Sequence, residues 1–412
     1  MPELLPTLLY CFVFGVYYFQ WPFSSLSLVW KTLLHILTLL VGSFMFFRNL
    51  RANPKNVSTF FEGFCFGGHR GSPLNAPENT RASFEQAKKE GVDLIEFDVG
   101  FTKDFVPVLM HDDDLDRTTN MNGPLNKYNF VELEKCNCAY GLSQVSFCGK
   151  NYVDTFMYGK FKCSFQISLN FLCFTFDLSV HKCVCITCCK NCFWITQKSL
   201  SKLVIISFLI FFSSLGSQDV TSNFEPICTL ENLIEWSIKN NVKMLFDVKD
   251  TEIKLVKLIA LLFERYNLYN KAIVCSFFPT VVYRIKKENP NILTGITWRR
   301  WFITYEDIEF TVPRSSSKLI FFISMILDVI WIWCVKLWIP EFLGVDMVLT
   351  ERREISPFYL KNMAARGFKV CAWTVNERNE MAWMSRELKI PFLTDVPYIA
   401  SHVLKNVNAE KN

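Results

Sequence analysis

Eight short apolar runs, most followed by a stretch with helical periodicity, constrain this chain more than any other feature. Phe64 to Gly68, Leu94 to Val99, Lys243 to Val248, Ala272 to Ser276, Ile292 to Thr297, Asp346 to Thr350, Lys369 to Val375 and Phe392 to Asp395 all read as buried strands. Helical spacing of apolar residues recurs at Arg81 to Glu90, Thr251 to Tyr266, Thr280 to Glu288 and Pro357 to Arg366. Phe105 to His111 follows the Thr102-Lys103-Asp104 turn so closely that it is expected to return as a hairpin. Strands alternating with helices pair in parallel through crossovers. Eight such units predict an α/β chain closed into a (β/α)8 TIM barrel.

Three segments stand outside the alternation. Half of the 412 residues are hydrophobic and 16% are aromatic, too apolar for an ordinary soluble protein. Leu26 to Phe47 is almost uncharged and long enough to span a bilayer at roughly twenty residues. Leu4 to Phe19 is shorter, an additional span or an interfacial segment, and neither a basic n-region nor a small-residue cleavage site marks a signal peptide. Residues 1–55, closed by Arg48, Arg51 and Lys55, are therefore expected to form a transmembrane anchor, and residues 59–405 the barrel. Residues 142–217 interrupt the barrel pattern as an irregular insertion holding only two acids, Asp154 and Asp177, and eight of the 16 cysteines. Cys183-x-Cys185-x-x-Cys188-Cys189-x-x-Cys192, with only His181 near it, is too dense for a tetrahedral zinc site. The insertion reads as translated non-coding sequence, or else as a membrane-contacting segment; without it about 270 residues follow the anchor, near the usual size of the barrel. The other cysteines are scattered, several inside apparent strands, as buried thiols usually are, so cysteine usage leaves the redox compartment open. Residues 319–339 are apolar too, but a span there would part the strands on either side of it. An interfacial helix is expected instead.

The chemistry sits at the strand ends. His69-Arg70-Gly71 follows the first strand, Glu96 and Asp98 share one face of the second, and His111-Asp112 closes the hairpin. Asp247 and Lys249 end the third strand, and Trp373-Thr374-Val375 ends the seventh. Taken singly these are weak signals, since a lone His-Arg is more often structural and Glu-x-Asp is common on strands. Their convergence on the mouth of a barrel makes them a site. By chemical type, Glu96, Asp98 and Asp247 would hold Mg²⁺ or Ca²⁺, both of which take oxygen ligands. Arg70 and Lys249 would face phosphate oxygens, His69 and His111 would act as general acid and base, and Trp373 would shape the substrate wall. The net charge of +5 comes with no strong basic tract and suits a phosphate-bearing substrate or an anionic membrane surface as well as nucleic acid.

Gly68-His69-Arg70-Gly71, Ala76-Pro77-Glu78-Asn79-Thr80, Ile95-Glu96-Phe97-Asp98-Val99, Pro107-Val108-Leu109-Met110-His111-Asp112 and Asp116-Arg117-Thr118-Thr119 resemble the glycerophosphodiester phosphodiesterase family. Phe246-Asp247-Val248-Lys249, Val274-Cys275-Ser276-Phe277 and Trp373-Thr374-Val375-Asn376 continue the resemblance, which runs in order from Phe64 to Val396 outside the insertion. It is closest to the animal membrane-anchored, glycerophosphoinositol-preferring branch. The resemblance implies a divalent-metal-dependent hydrolase that releases sn-glycerol 3-phosphate and an alcohol such as inositol, choline or ethanolamine through a cyclic phosphate. It also implies small-molecule glycerophosphodiester and membrane-lipid partners, no nucleic acid, and a lumenal or extracellular catalytic domain. The basic residues after the anchor favour the cytosolic side instead, and Asn56-Val57-Ser58 is a glycosylation sequon. At Asp247 many relatives carry Glu, one carbon longer. Two other expectations compete: a lysophospholipid- or N-acylethanolamine-directed phosphodiesterase, and a catalytically silent membrane scaffold, against which the complete set of histidines and carboxylates argues.

Overall fold

The structure is a computed structural model that describes residues 28–140 and 224–409, with three short strand segments between them. The Leu4 to Phe19 run lies outside the described residues.

Eight parallel strands close into a barrel: β1 (Phe66–Gly68), β2 (Leu94–Phe101), β3 (Lys243–Val248), β4 (Ala272–Ser276), β5 (Leu293–Trp298), β6 (Met347–Glu351), β7 (Lys369–Trp373) and β8 (Phe392–Thr394). Closure rests on β1, which pairs with β8 (Gly67↔Leu393) and with β2 (Gly67↔Leu94). The expected hairpin is present, Pro107–Leu109 returning antiparallel along β2. Side chains alternate across the wall as the pleat requires. Leu94, Leu245, Ile273, Leu293, Met347, Leu349, Cys371 and Leu393 fill the barrel's interior. Ile95, Phe97, Phe246, Val274, Ile296 and Val348 face the surrounding helices. Burial on both faces is why these strands read in the sequence as continuous apolar runs.

The crossover helices are α3 (Arg81–Lys89), α4 (Leu230–Asn240), α5 (Ile253–Arg265), α6 (Pro279–Glu288), α7 (Lys318–Leu337), α8 (Ile339–Leu343), α9 (Pro357–Ala365), α10 (Arg378–Trp383) and α11 (Pro397–Ala409). Their starts follow local chemistry: Thr80 accepts from Ser83 N and Thr229 from Asn232 N, each a side-chain cap of about 1 kcal/mol. Before β1, α1 (Leu28–Phe47) leads to α2 (Pro54–Phe61), which closes the floor. Phe60 of α2, with Ala52 and Phe64, joins the inner core, so the barrel's packing begins ahead of residue 59. The Asn56 sequon lies on α2 with Asn56 half-buried.

Among the described residues, one helix, α7, is long and apolar enough to cross a membrane, and α1 holds a shorter apolar stretch, Ile36–Phe47. Residues 139–224 form a second unit, in which Phe171–Phe176 pairs antiparallel with Ile167–Ser168 and with Val184–Thr187. The rest of the insertion, most of its cysteine motif included, lies outside the described residues.

Candidate active site

Parallel register sets the acidic cluster. Asp98 of β2 and Asp247 of β3 are register partners, and Glu96 precedes Asp98 by one pleat on the same face. The three are buried, with one oxygen from each all lying within 4.8 Å of one another. Burial pushes the Glu96 carboxyl up to about 8; the attraction of His69 opposes this, while Asp98 and Asp247 add repulsion. Asp247 is pushed up to about 7, by burial first and then by Asp98. Asp98 goes the other way. Burial would raise it, but Lys249, Arg70, His111 and an Asn79 hydrogen bond together hold it far below the usual carboxylate range. Asp247 Oδ1 is buried without a hydrogen-bond partner. A cluster of oxygen ligands with an orphaned oxygen and mutual repulsion is chemically suited to a hard divalent cation.

Both histidines present Nε2 to this cluster and tie Nδ1 to a carboxylate. His69 Nδ1 lies 2.6 Å from Asp395 Oδ1, and its Nε2 lies 3.9 Å from Glu96 Oε2. His111 Nδ1 lies 2.5 Å from Asp112 Oδ1, and its Nε2 lies 4.0 Å from Asp98 Oδ1. An ionised carboxylate only accepts, so each Nδ1 carries the hydrogen and each Nε2 is left for chemistry. Burial would lower the His69 pKa, but Glu96 and Asp395 outweigh it and hold the ring above its ordinary value. Asn376 fixes Asp395 in turn, donating to Oδ2 at 2.7 Å and accepting from the Asp395 N–H at 2.9 Å.

Arginines knit the two histidine loops together. Arg70 has positive φ, 54°, which lets its backbone N–H donate to Glu96 Oε2 at 2.8 Å. A Cβ on Gly68 would collide with the Gly71 carbonyl, so this turn requires glycine there. The Arg70 guanidinium pairs with Glu78 at 3.0 Å and lies 3.3 Å from Asp98, the latter without hydrogen-bond alignment. Arg117 grips Glu78 through two bonds, 2.9 and 2.7 Å, and Asp112 at 2.5 Å. Lys249 pairs with Asp98 at 3.0 Å and donates to the His111 carbonyl at 2.9 Å. Trp373 packs edge-on to Phe277, their centroids 5.5 Å apart, and its indole N–H is buried without an acceptor.

The structure thus brings together His69, His111, Glu96, Asp98, Asp247, Arg70 and Lys249, with Trp373 in the wall of the same mouth. Sequence reasoning gave no role to Asp395, Asn376, Glu78, Asn79 or Arg117. A signal was available for the first two: both follow the ends of strands, where barrel sites gather.

Fold and site together place two imidazoles for proton transfer beside a set of oxygen ligands at the mouth of a barrel. A model of the Glycerophosphoryl diester phosphodiesterase family matches residues 69–399, and the chain belongs to that family. Glycerophosphodiester phosphodiesterase 1 of Homo sapiens is 25% identical over 330 residues, 79% of this chain and 76% of that protein. The Bos taurus protein of the same name is 26% identical over the same shares. In fold, the chain is similar to a Silicibacter pomeroyi protein assigned to this activity (TM-score 0.53, 14% identity, 85% of this chain and 98% of that one). It is also similar to an Oleispira antarctica phosphodiesterase in complex with the product sn-glycerol-3-phosphate (TM-score 0.50, 17% identity, 83% and 96%). The chain is a glycerophosphodiester phosphodiesterase.

Proposed function

We propose that the protein hydrolyses glycerophosphodiesters of small polar alcohols, glycerophosphoinositol among them, to sn-glycerol 3-phosphate and the free alcohol. The observation that carries this is the pair of Nε2 atoms facing one buried carboxylate cluster, 3.9 and 4.0 Å from its oxygens. One imidazole takes the proton of the glycerol 2-hydroxyl as that oxygen bonds to phosphorus. The bond from phosphorus to the alcohol breaks, and the other imidazole protonates the departing oxygen. Water then opens the cyclic phosphate with the two roles exchanged. Arg70 and Lys249 neutralise the phosphate oxygens, exchanging part of their present carboxylate pairing for substrate. Glu96, Asp98 and Asp247 would hold Mg²⁺ or Ca²⁺, which supplies Lewis-acid stabilisation of the phosphoryl oxygens. α1 tethers the chain to a membrane, and the resemblance favours a lumenal or extracellular barrel.

A second reading, hydrolysis of lysophospholipids or N-acylethanolamine glycerophosphodiesters, is favoured by the exposed apolar face of α7. Full-length protein in detergent, assayed with glycerophosphoinositol and with a lysophospholipid under each metal, separates the two. His69→Ala and His111→Ala are each expected to lower kcat by about 10²–10⁴-fold. Unchanged turnover in either variant would refute the mechanism.

A further inference from the structure

We infer that α7 docks in one leaflet of a lipid bilayer without crossing it, and so holds the rim of the active-site mouth at the membrane surface. At 20 residues and a mean hydropathy of 2.1, α7 has the length and composition of a span. It nevertheless connects two strands that are hydrogen-bonded neighbours, Val348 of β6 lying opposite Ile296 of β5 and Thr350 opposite Trp298. A crossing would put β5 and β6 in different compartments and open the barrel. α7 is also fastened at its middle. Asp328 is fully buried and accepts from the Ile303 N–H at 3.0 Å, the Thr304 N–H at 2.9 Å and the Thr304 hydroxyl at 2.6 Å. Pulled into the bilayer centre, that carboxylate would lose all three donors.

The outward face is what needs covering. Leu319, Phe322, Ile326, Ile330, Trp333 and Leu337 stand on it, each at least 48% exposed. The only acid of the helix is Asp328, which turns inward, so its charged residues outside the buried anchor are the basic Lys318 and Lys336 near its two ends. Two observations select lipid as the occupant. α1, whose only acidic or basic residues are Lys31 and His35 and whose apolar side chains stand mostly exposed, meets the end of α7, Phe44 packing on Trp338 with centroids 6.3 Å apart. A helix with this few polar residues and so much exposed apolar surface suits hydrocarbon rather than a protein groove. Exposed Arg314 and Lys318 precede the apolar stretch, where anionic head groups would lie. Mouth and helix are joined by the loop that Asp328 holds: Phe302 in it stacks on Phe277, which packs against Trp373.

Two readouts on the full-length chain test this. Protease-cleavable tags inserted between Ser315 and Ser316, and after Asn412, bracket α7; in sealed vesicles both are expected to be cleaved or both protected. One cleaved and one protected would mean a span and overturn the inference. A fluorescent amino acid at Ile330 should be quenched severalfold by brominated lipids, and one at the exposed Lys239 of α4 should not. Ile330 left unquenched would mean that something other than lipid covers the face. Hydrolysis of soluble glycerophosphoinositol by the same labelled chains reports separately on fold and chemistry.

Discussion

At the scale of single residues, the site depends on carboxylates in two unlike states. Asp395 and Asp98 are held ionised by their cationic partners, while Glu96 and Asp247 are crowded toward protonation by burial and by the charge of Asp98. Burial would lower the pKa of His69; Asp395 orients Nδ1 and, with Glu96, raises the ring's pKa, through both its charge and its hydrogen bond. Asp395→Asn keeps the shape and removes the charge, so it should lower kcat by about 10–10²-fold, less than the loss of an acid–base group itself. The limb of the kcat/KM profile that reports His69 should move to lower pH. A drop in rate with an unmoved limb would leave Asp395 a packing role only. The raised pair gives a second expectation. From 4.5 to about 8 for Glu96, and from 3.8 to about 7 for Asp247, the folded state holds protons that the unfolded state has released. His69, raised as well, acts in the same direction, so stability without metal falls as pH rises through this window. A divalent cation binds the ionised forms and should offset the loss. The gap in Tm between metal-loaded and chelator-treated protein should therefore widen with pH across the window. Parallel curves in scanning fluorimetry would rule out the triad as the metal site.

At the scale of elements, the barrel was legible because its physics is local. Strands buried on both faces leave uninterrupted apolar runs, and β3 and β4 fall on the residues where those runs lie. What the sequence hid depends on closure. His69 and Asp395 are 326 residues apart in the chain and meet only because β1 pairs with β8. No periodicity encodes such a contact. α2 was hidden for a similar reason, since Phe60 faces inward only once there is a barrel floor to fill. The insertion tests how separable the elements are. It leaves at Cys138 and returns at Glu225, and these two points are already joined, the Cys138 N–H donating to the Glu225 carbonyl at 2.8 Å. The Glu225 N–H donates to Asn137 Oδ1 at 3.0 Å, and Asn137 bridges to Pro226. Deleting residues 139–224 behind a short glycine linker should therefore leave kcat/KM for glycerophosphoinositol within about twofold, because ΔΔG values of independent parts scatter by only a few tenths of a kcal/mol. A deletion variant that folds but loses turnover would show that the insertion serves the site.

At the scale of the whole molecule, the question is how the segment after α1 is fixed to the barrel. The chain after α1 is bolted to the floor, not strung beneath it. Asn49 N–H donates to the Phe342 carbonyl at 2.9 Å, and Arg51 donates to the carbonyls of Arg366 and Gly367 at 2.9 and 3.1 Å while lying over the Phe368 ring. Arg51 is thus taken up by the barrel, so its charge carries no positive-inside signal for the proposed anchor. The bolt centres on Asp346, wholly buried, which accepts from the Ala52 N–H at 3.0 Å, the Thr294 N–H at 3.0 Å and the Lys286 ammonium at 2.9 Å. Burial already pushes Lys286 toward its neutral form, and Asp346 is the group that opposes this. Asp346→Ala leaves a buried cation and two buried N–H groups unpaired, so about 3–5 kcal/mol should be lost from global stability. Adding Lys286→Met removes the stranded charge but not the two orphaned N–H groups. The double variant should therefore lie between the single variant and the parent in denaturant midpoint. If the double variant is no more stable than Asp346→Ala, the ion pair is incidental and the backbone contacts alone fasten the segment after α1.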